Sequence, residues 1–164
     1  MQPRILVLEN DNDFRVLICE RLQAAGYQTA EALVKSQVSA SLSRFRFAAA
    51  IVDVKLQDET DPFDWSGLVL ARHIAGSNVP VIILTAYDDS EAVGRAYQVA
   101  PGVQPPYAFI SKNASDWREK LTTTLAEITD IRSPRWWTWL KEHGEDIASA
   151  LIRILKRVFP GGES

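Results

Sequence analysis

Short apolar runs alternate with amphipathic segments along the first 130 residues of this 164-residue chain. Five runs have the length of strands, and all but the short second one have the near-continuous hydrophobicity of strands that are buried on both faces. They lie at about residues 4–9, 27–31, 47–54, 79–85 and 107–110. The segments between them repeat apolar residues at helical spacing, as Phe14, Leu17, Ile18 and Leu22 do ahead of Gly26. The pattern therefore predicts strands and helices in strict alternation.

Alternating strands and helices are typical of a parallel sheet that right-handed crossovers cover on both faces. Five strands predict an α/β, doubly wound, flavodoxin-like sheet with the order 2-1-3-4-5. The helices are expected at about residues 12–25, 33–44, 68–75, 90–99 and 115–130. Pro134 interrupts the helical pattern after the last of them. We therefore divide the chain into a domain at 1–130 and an extension at 131–164.

The extension is predicted to be an extra C-terminal amphipathic helix that Pro160 and two glycines end. Its apolar positions recur in threes and fours, and its acids precede its basic residues, which suits the helix dipole. The helix is expected to form a homodimer or to bind an effector protein, with folding back onto the domain or contact with a membrane surface as the alternatives. Thirty-odd residues are too few for a usual DNA-binding output domain, so no direct DNA binding is expected.

The composition is that of a soluble globular protein, with 46% hydrophobic and 24% charged residues. Cys19 is the single cysteine, so no disulfide framework exists, and we expect a buried thiol in a reducing compartment. No secretory signal precedes the first strand and no apolar run is long enough to span a bilayer, so a cytoplasmic location is expected. A net charge of −3 does not favour nucleic acid as a partner.

Chemically useful side chains follow four of the five predicted strands. The most apolar run contains Asp53 at its end, the first run leads into Glu9 and Asn10, the fourth ends at Thr85, and the fifth leads to Lys112. The carboxyl ends of parallel strands meet at one edge of the sheet, where open α/β sheets bind ligands. The sequence therefore predicts that carboxylates, a hydroxyl group and an amine converge at this edge.

These residues, in this order, resemble the receiver domain of two-component response regulators over roughly residues 3–130. The resemblance implies that Asp53 accepts a phosphoryl group, with Thr85 and Lys112 as its companions. It also implies a Mg²⁺ site formed by Glu9, Asn10 and Asp53. A carboxylate that attacks a phosphoryl group must approach negative charge, which the metal neutralises. Lysine supplies a positive charge and threonine a hydroxyl group to the phosphoryl oxygens.

Two departures from the family pattern affect the predicted metal site. The family usually has two aspartates where this chain has Glu9 and Asn10. Glutamate reaches roughly 1.5 Å farther, and asparagine removes one formal charge, so weaker Mg²⁺ binding is expected. In addition, Asn113 stands where the family has a proline after the lysine, which is expected to alter the loop there.

The resemblance gives three further residues a role. Phe109 occupies the aromatic switch position, which moves together with Thr85. Lys55 and Tyr87 occupy positions that modulate the lifetime of the phosphoryl group. Lys55 is expected either to offset the weaker metal or to pair with Glu9. The acidic loop that follows, with Asp58, Glu59, Asp61 and Asp64, looks longer than usual and is expected to be solvated.

The leading hypothesis is a single-domain response regulator that accepts a phosphoryl group on Asp53 from a histidine kinase or phosphotransfer partner. It would signal through protein–protein contacts, and its only catalysis would be self-phosphorylation and autodephosphorylation. The alternative is a receiver-like scaffold or dimerisation module that needs no phosphorylation, which Glu9, Asn10 and Asn113 favour. An enzyme that uses Asp53 as a nucleophile toward a phosphate ester is a third hypothesis, and the lack of a second catalytic acid opposes it.

Overall fold

The computed structural model describes residues 2–58, 60–61, 63–87 and 106–131. Within these ranges the chain forms five strands and four helices. In chain order they are β1 (Arg4–Leu8), α1 (Asn12–Ala24), β2 (Gln28–Glu31), α2 (Lys35–Arg44), β3 (Ala49–Val52), α3 (Ser66–Ala75), β4 (Val81–Thr85), β5 (Ala108–Ser111) and α4 (Trp117–Ile131). The predicted helix at 90–99 and the predicted C-terminal helix lie outside the described residues, so the division at residue 130 stays a prediction.

All five strands are parallel and their order is β2-β1-β3-β4-β5, which confirms the predicted fold. The register places Ile51 of β3 beside Val7 of β1 and Ile82 of β4. Alternate residues of each central strand point to opposite faces, so the sheet has a hydrophobic core on each side. One core contains Leu6, Leu8, Val52 and Ile83 with Leu68 and Ile74 of α3, and the other contains Ile5, Val7, Ile51 and Leu84 with Ile18 of α1 and Leu121 of α4.

Helix α1 has the ends that its sequence predicts. The carboxylate of Asp11 accepts hydrogen bonds from the backbone N–H groups of Asp13 and Phe14, at 2.9 and 3.0 Å. These bonds satisfy donors that the first turn of a helix leaves unpaired. At the other end Gly26 has φ of 88°, a conformation that favours glycine. Cys19 is buried in this helix, as predicted.

Helix α3 starts against the backbone that follows β3, and this approach requires a glycine. The N–H group of Gly67 donates to the carbonyl of Val54 at 2.9 Å. A Cβ atom at Gly67 would lie 1.7 Å from the carbonyl oxygen of Asp53. No side chain fits there without moving backbone, so Gly67 sets the distance between α3 and the segment that carries Asp53.

The loop before α3 differs from the prediction at one position. Asp64 is buried rather than solvated, because its carboxylate accepts hydrogen bonds from the backbone N–H groups of Gln57, Asp58 and Ser66. Asp61, in the same loop, is exposed as expected. Among the described residues, no helix combines the length and the hydrophobicity that crossing a bilayer requires.

Candidate functional site

Asp53 lies directly after β3, at the carboxyl edge of the sheet. Its backbone N–H donates to the carbonyl of Leu8 at 2.9 Å, which continues the pairing of β1 with β3 by one residue. The side chain is only 5% exposed, and both of its oxygens accept hydrogen bonds. Oδ1 accepts from the N–H of Val54 at 2.6 Å, and Oδ2 accepts from Nζ of Lys112 at 2.5 Å. The carboxylate is therefore held in one orientation.

Glu9 lies directly after β1 and shares the same lysine. Its Oε2 is 2.6 Å from Nζ of Lys112, and its Oε1 accepts a hydrogen bond from the N–H of Asp11 at 3.1 Å. Glu9 is 1% exposed, and the side chain of Lys112 is 12% exposed. Residues that follow β1, β3 and β5 thus meet in a buried cluster of two carboxylates and one ammonium group.

One ammonium group cannot fully compensate two buried carboxylates. The pKa of Glu9 is raised to about 7, because burial and the nearby charge of Asp53 raise it by more than the contacts with Lys112 and the N–H of Asp11 lower it. Burial alone would lower the pKa of Lys112, but the charges and hydrogen bonds of Asp53 and Glu9 outweigh it and raise this pKa above its usual value. The lysine is therefore charged, and Glu9 takes up a proton at a higher pH than an ordinary glutamate.

A cavity of about 180 Å³ opens beside Asp53. It is lined by Asp53, Lys55, Thr85, Ala86, Tyr87 and Lys112. The hydroxyl oxygen of Thr85, at the end of β4, accepts a hydrogen bond from the N–H of Tyr87 at 3.2 Å, while its carbonyl accepts from the N–H of Lys112 at 2.8 Å. The predicted acceptor, hydroxyl group, lysine and both predicted modulating residues therefore share one cavity.

The donor atoms near Asp53 suit a hard cation. Because Nζ of Lys112 lies 2.5 and 2.6 Å from Asp53 and Glu9, one cation can bridge the two carboxylates. Carboxylate and amide oxygens are ligands that Mg²⁺ accepts together with water, and Asn10 offers an amide oxygen in the same loop. No group of three or more His, Cys, Asp or Glu side chains could hold a metal within the described ranges. A Mg²⁺ ion here would depend on Glu9, Asp53 and Asn10 and would compete with the lysine.

Phe109 does not line the cavity. It lies on β5 opposite Ile83 of β4, and its side chain is 40% exposed. The family's switch residue is expected to alternate between positions, and an exposed ring on the edge strand is compatible with that prediction.

Asn113, which stands where the family has a proline, makes two hydrogen bonds. Its N–H donates to the hydroxyl of Ser111, and its side chain donates to the carbonyl of Ala86 at 3.1 Å. The loops after β4 and β5 are therefore still tied together.

Arg15 supports the site although the sequence pattern did not single it out. Its guanidinium donates to the carbonyl of Glu9 at 2.7 Å, to the side chain of Asn12 at 2.7 Å, and to the carboxylate of Glu31 at 2.7 Å. These contacts fix the loop between β1 and α1 that carries Glu9 and Asn10. The only sequence signal was an arginine one turn into α1, a position that arginine occupies in many surface helices.

Comparisons with known proteins agree with this architecture. No protein-family model matches the chain. Adventurous-gliding motility protein Z of Myxococcus xanthus is 30% identical over 90 residues, which are 52% of this chain and 6% of that protein. The chemotaxis protein CheY4 of Vibrio cholerae is structurally similar, with a TM-score of 0.59 and 21% identity over 78% of this chain and 99% of that one.

A response regulator receiver domain protein of Methanospirillum hungatei is similar to the same degree. Its TM-score is 0.59, with 21% identity over 79% of this chain and 98% of that one. The chain spans only a small fraction of the curated relative, whereas it spans nearly all of the solved receiver domains. Sheet order, strand direction and these likenesses show that the chain has the fold of response-regulator receiver domains.

Proposed function

We propose that this domain is a signal receiver that accepts a phosphoryl group on Asp53. The observation that carries the proposal is the shared cavity, in which the carboxylate of Asp53, the hydroxyl of Thr85 and the ammonium of Lys112 meet from three different strands. A buried carboxylate beside a charged lysine also serves as an ordinary ion pair. The additional hydroxyl and the cavity, which is large enough for a phosphoryl group, favour phosphoryl chemistry over that simpler role.

The expected reaction is phosphoryl transfer from a phosphohistidine. An oxygen of Asp53 attacks phosphorus, the phosphorus–nitrogen bond breaks, and the imidazole of the donor leaves. Lys112 then pairs with a phosphoryl oxygen instead of with the free carboxylate, and Thr85 donates its hydroxyl hydrogen to another. Bound Mg²⁺, held by Glu9, Asp53 and Asn10, would neutralise charge between the carboxylate and the phosphoryl group.

The proposed partners follow from this chemistry. A histidine kinase or a phosphotransfer protein supplies the phosphoryl group, and an effector protein or a second copy of the chain reads the result. Thr85 and Phe109 are the proposed switch pair, and the segment at 131–164 is the proposed contact for the homodimer or the effector. Strands β4 and β5 are adjacent in the sheet, so a shift of Thr85 would act directly on the strand that carries Phe109.

A second candidate is a receiver-like scaffold that works without phosphorylation. The observation that favours it is the position of Lys112, whose ammonium group already bridges Glu9 and Asp53 as a resident cation. Asn10 in place of a carboxylate favours it further, because the loop then offers less charge to a metal ion. In this case the domain would present one fixed surface to its partner.

Intact mass after incubation with a small phosphodonor and Mg²⁺ separates the two candidates. We expect wild type to gain one phosphoryl group, while Asp53→Asn gains none because its amide is not a nucleophile. Asp116→Asn serves as a matched control, since it makes the same change at an exposed carboxylate that pairs with Lys120, and it should gain the same mass as wild type. A wild-type protein that gains no mass at saturating Mg²⁺, while a known receiver domain reacts in the same tube, would rule out phosphorylation from small donors and favour the scaffold.

A further inference from the structure

We propose that Trp65 is a positioning residue that fixes the ring of Tyr87 at the wall of the Asp53 cavity and so limits the access of water. The fixed position of the Tyr87 ring is a property of the free protein. Its expected consequence, a longer lifetime of phosphorylated Asp53, rests on the proposed function. Trp65 itself does not line the cavity, so it acts through Tyr87.

The ring of Tyr87 has two side-chain contacts. The indole of Trp65 packs against it edge to face, with 5.5 Å between the ring centroids and 67° between the planes. This is a preferred geometry for aromatic pairs. In addition, Nζ of Lys55 lies 5.8 Å from the Tyr87 centroid, within the range of a cation–π contact. Tyr87 and Lys55 both line the cavity, so this contact lies at its wall.

Trp65 is itself held by the loop that precedes α3. Its neighbour Asp64 is buried and accepts hydrogen bonds from the backbone N–H groups of Gln57, Asp58 and Ser66, at 2.8 to 2.9 Å. Burial raises the pKa of Asp64, but the hydrogen bonds from Ser66 and the backbone outweigh it and lower the pKa to about 2. Asp64 is therefore ionised at neutral pH, and its hydrogen bonds hold the loop in the conformation in which the indole of Trp65 contacts Tyr87.

The position of the ring bears on hydrolysis. A phosphorylated aspartate is lost when the oxygen of a water molecule attacks phosphorus, the bond from phosphorus to the Asp53 oxygen breaks, and inorganic phosphate leaves. The attacking water needs a path through the cavity to the phosphorus atom. An aromatic ring fixed at the cavity wall narrows that path, whereas a ring released from Trp65 samples other rotamers and opens it.

The first test needs no phosphoryl donor. Tetranitromethane nitrates accessible tyrosines, and peptide mass locates the modified residue. We expect Trp65→Leu, which keeps apolar volume but removes the ring contact, to speed nitration of Tyr87 about 2- to 10-fold, the factor that an aromatic pair contributes. Trp65→Phe should stay near wild type, and so should Phe63→Ala, which removes an exposed ring from the same loop. Equal nitration rates in wild type and Trp65→Leu would overturn the positioning role.

The second test measures how fast the phosphorylated protein loses its phosphoryl group in a donor-free buffer. We expect Trp65→Leu to lose it about 2- to 10-fold faster than wild type and Trp65→Phe, on the same reasoning. In a Tyr87→Ala background, Trp65→Leu should have no further effect, because Trp65 acts through that ring. Equal lifetimes, or an undiminished effect without Tyr87, would overturn the inference. If wild type takes up no phosphoryl group, the proposed function fails instead, and the nitration rates alone decide the positioning role.

Discussion

Glu9 has one methylene more than an aspartate at the same place, and the structure shows what the longer side chain contacts. The carboxylate extends to Nζ of Lys112, which Asp53 also contacts, so a single ammonium group serves two buried acids. A neutral Glu9 would leave a balanced pair of Lys112 and Asp53. The charge state of one residue therefore decides whether the cluster carries an excess negative charge.

We expect this residue to make the stability of the domain depend on pH. Glu9 has a pKa of about 7 in the folded protein against an ordinary value of 4.5, so between these values the folded state binds the proton that the unfolded state has released. The free energy of unfolding should then fall as pH rises from 4.5 to 7, by up to about 3 kcal/mol, since one pKa unit corresponds to about 1.4 kcal/mol. Glu9→Gln should lose this part of the pH dependence.

Urea unfolding of both proteins at pH 5 and pH 8, in the presence of a chelator, measures the difference. Groups far from Glu9 contribute the same pH dependence to both proteins, so the informative quantity is the change in unfolding free energy between the two pH values, compared between wild type and variant. Parallel pH profiles would contradict the interpretation of Glu9 as the carboxyl group that takes up the proton.

At the scale of the elements, the start of α3 fixes the backbone around Asp53. Gly67 is the contact point, because a Cβ atom there would overlap the carbonyl oxygen of Asp53. We expect Gly67→Ala to destabilise the domain by about 2–3 kcal/mol or more, since backbone rather than a side-chain rotamer has to move. Gly76→Ala, at the opposite end of the same helix, is the matched control, because the added Cβ would lie 3.5 Å from its nearest neighbours.

Thermal or urea unfolding of the two glycine variants tests this prediction. Gly76 follows α3 with helical φ and ψ, so alanine should be neutral or slightly stabilising there. A Gly67→Ala variant as stable as Gly76→Ala would show that α3 can move away from Asp53 at little cost.

The elements also show what the sequence could predict and why. The strands and most helices followed from periodicity, because burial on one face of a helix or both faces of a strand leaves a regular pattern. Asp64 was predicted to be solvated and is buried, since its partners are backbone N–H groups that only the folded loop brings together. Likewise, nothing in the spacing of Trp65 and Tyr87 indicated that their rings meet, because the contact joins two loops of different crossovers.

At the scale of the whole molecule, the sheet order assembles the site. Glu9, Asp53 and Lys112 follow β1, β3 and β5, which are distant in sequence, and the parallel order brings their side chains to one edge. That convergence was predictable from the strand ends alone. The position of Lys112 between both carboxylates was not, because it depends on side-chain reach across β4. Burial of two carboxylates beside one ammonium group makes this lysine important for the stability of the fold.

We expect Lys112→Met to destabilise the domain by about 3 kcal/mol or more at pH 8, because it leaves two buried carboxylates without a cation. Mg²⁺ should then restore more stability in the variant than it adds in wild type. A ligand that binds only the folded state stabilises it, and in the variant Mg²⁺ no longer competes with the ammonium group. Lys120→Met is the matched control, because Lys120 is exposed and pairs with Asp116 at the surface. Urea unfolding with Mg²⁺ and with a chelator measures both effects, and equal Mg²⁺ increments in wild type and Lys112→Met would show that the lysine and the metal do not share a site.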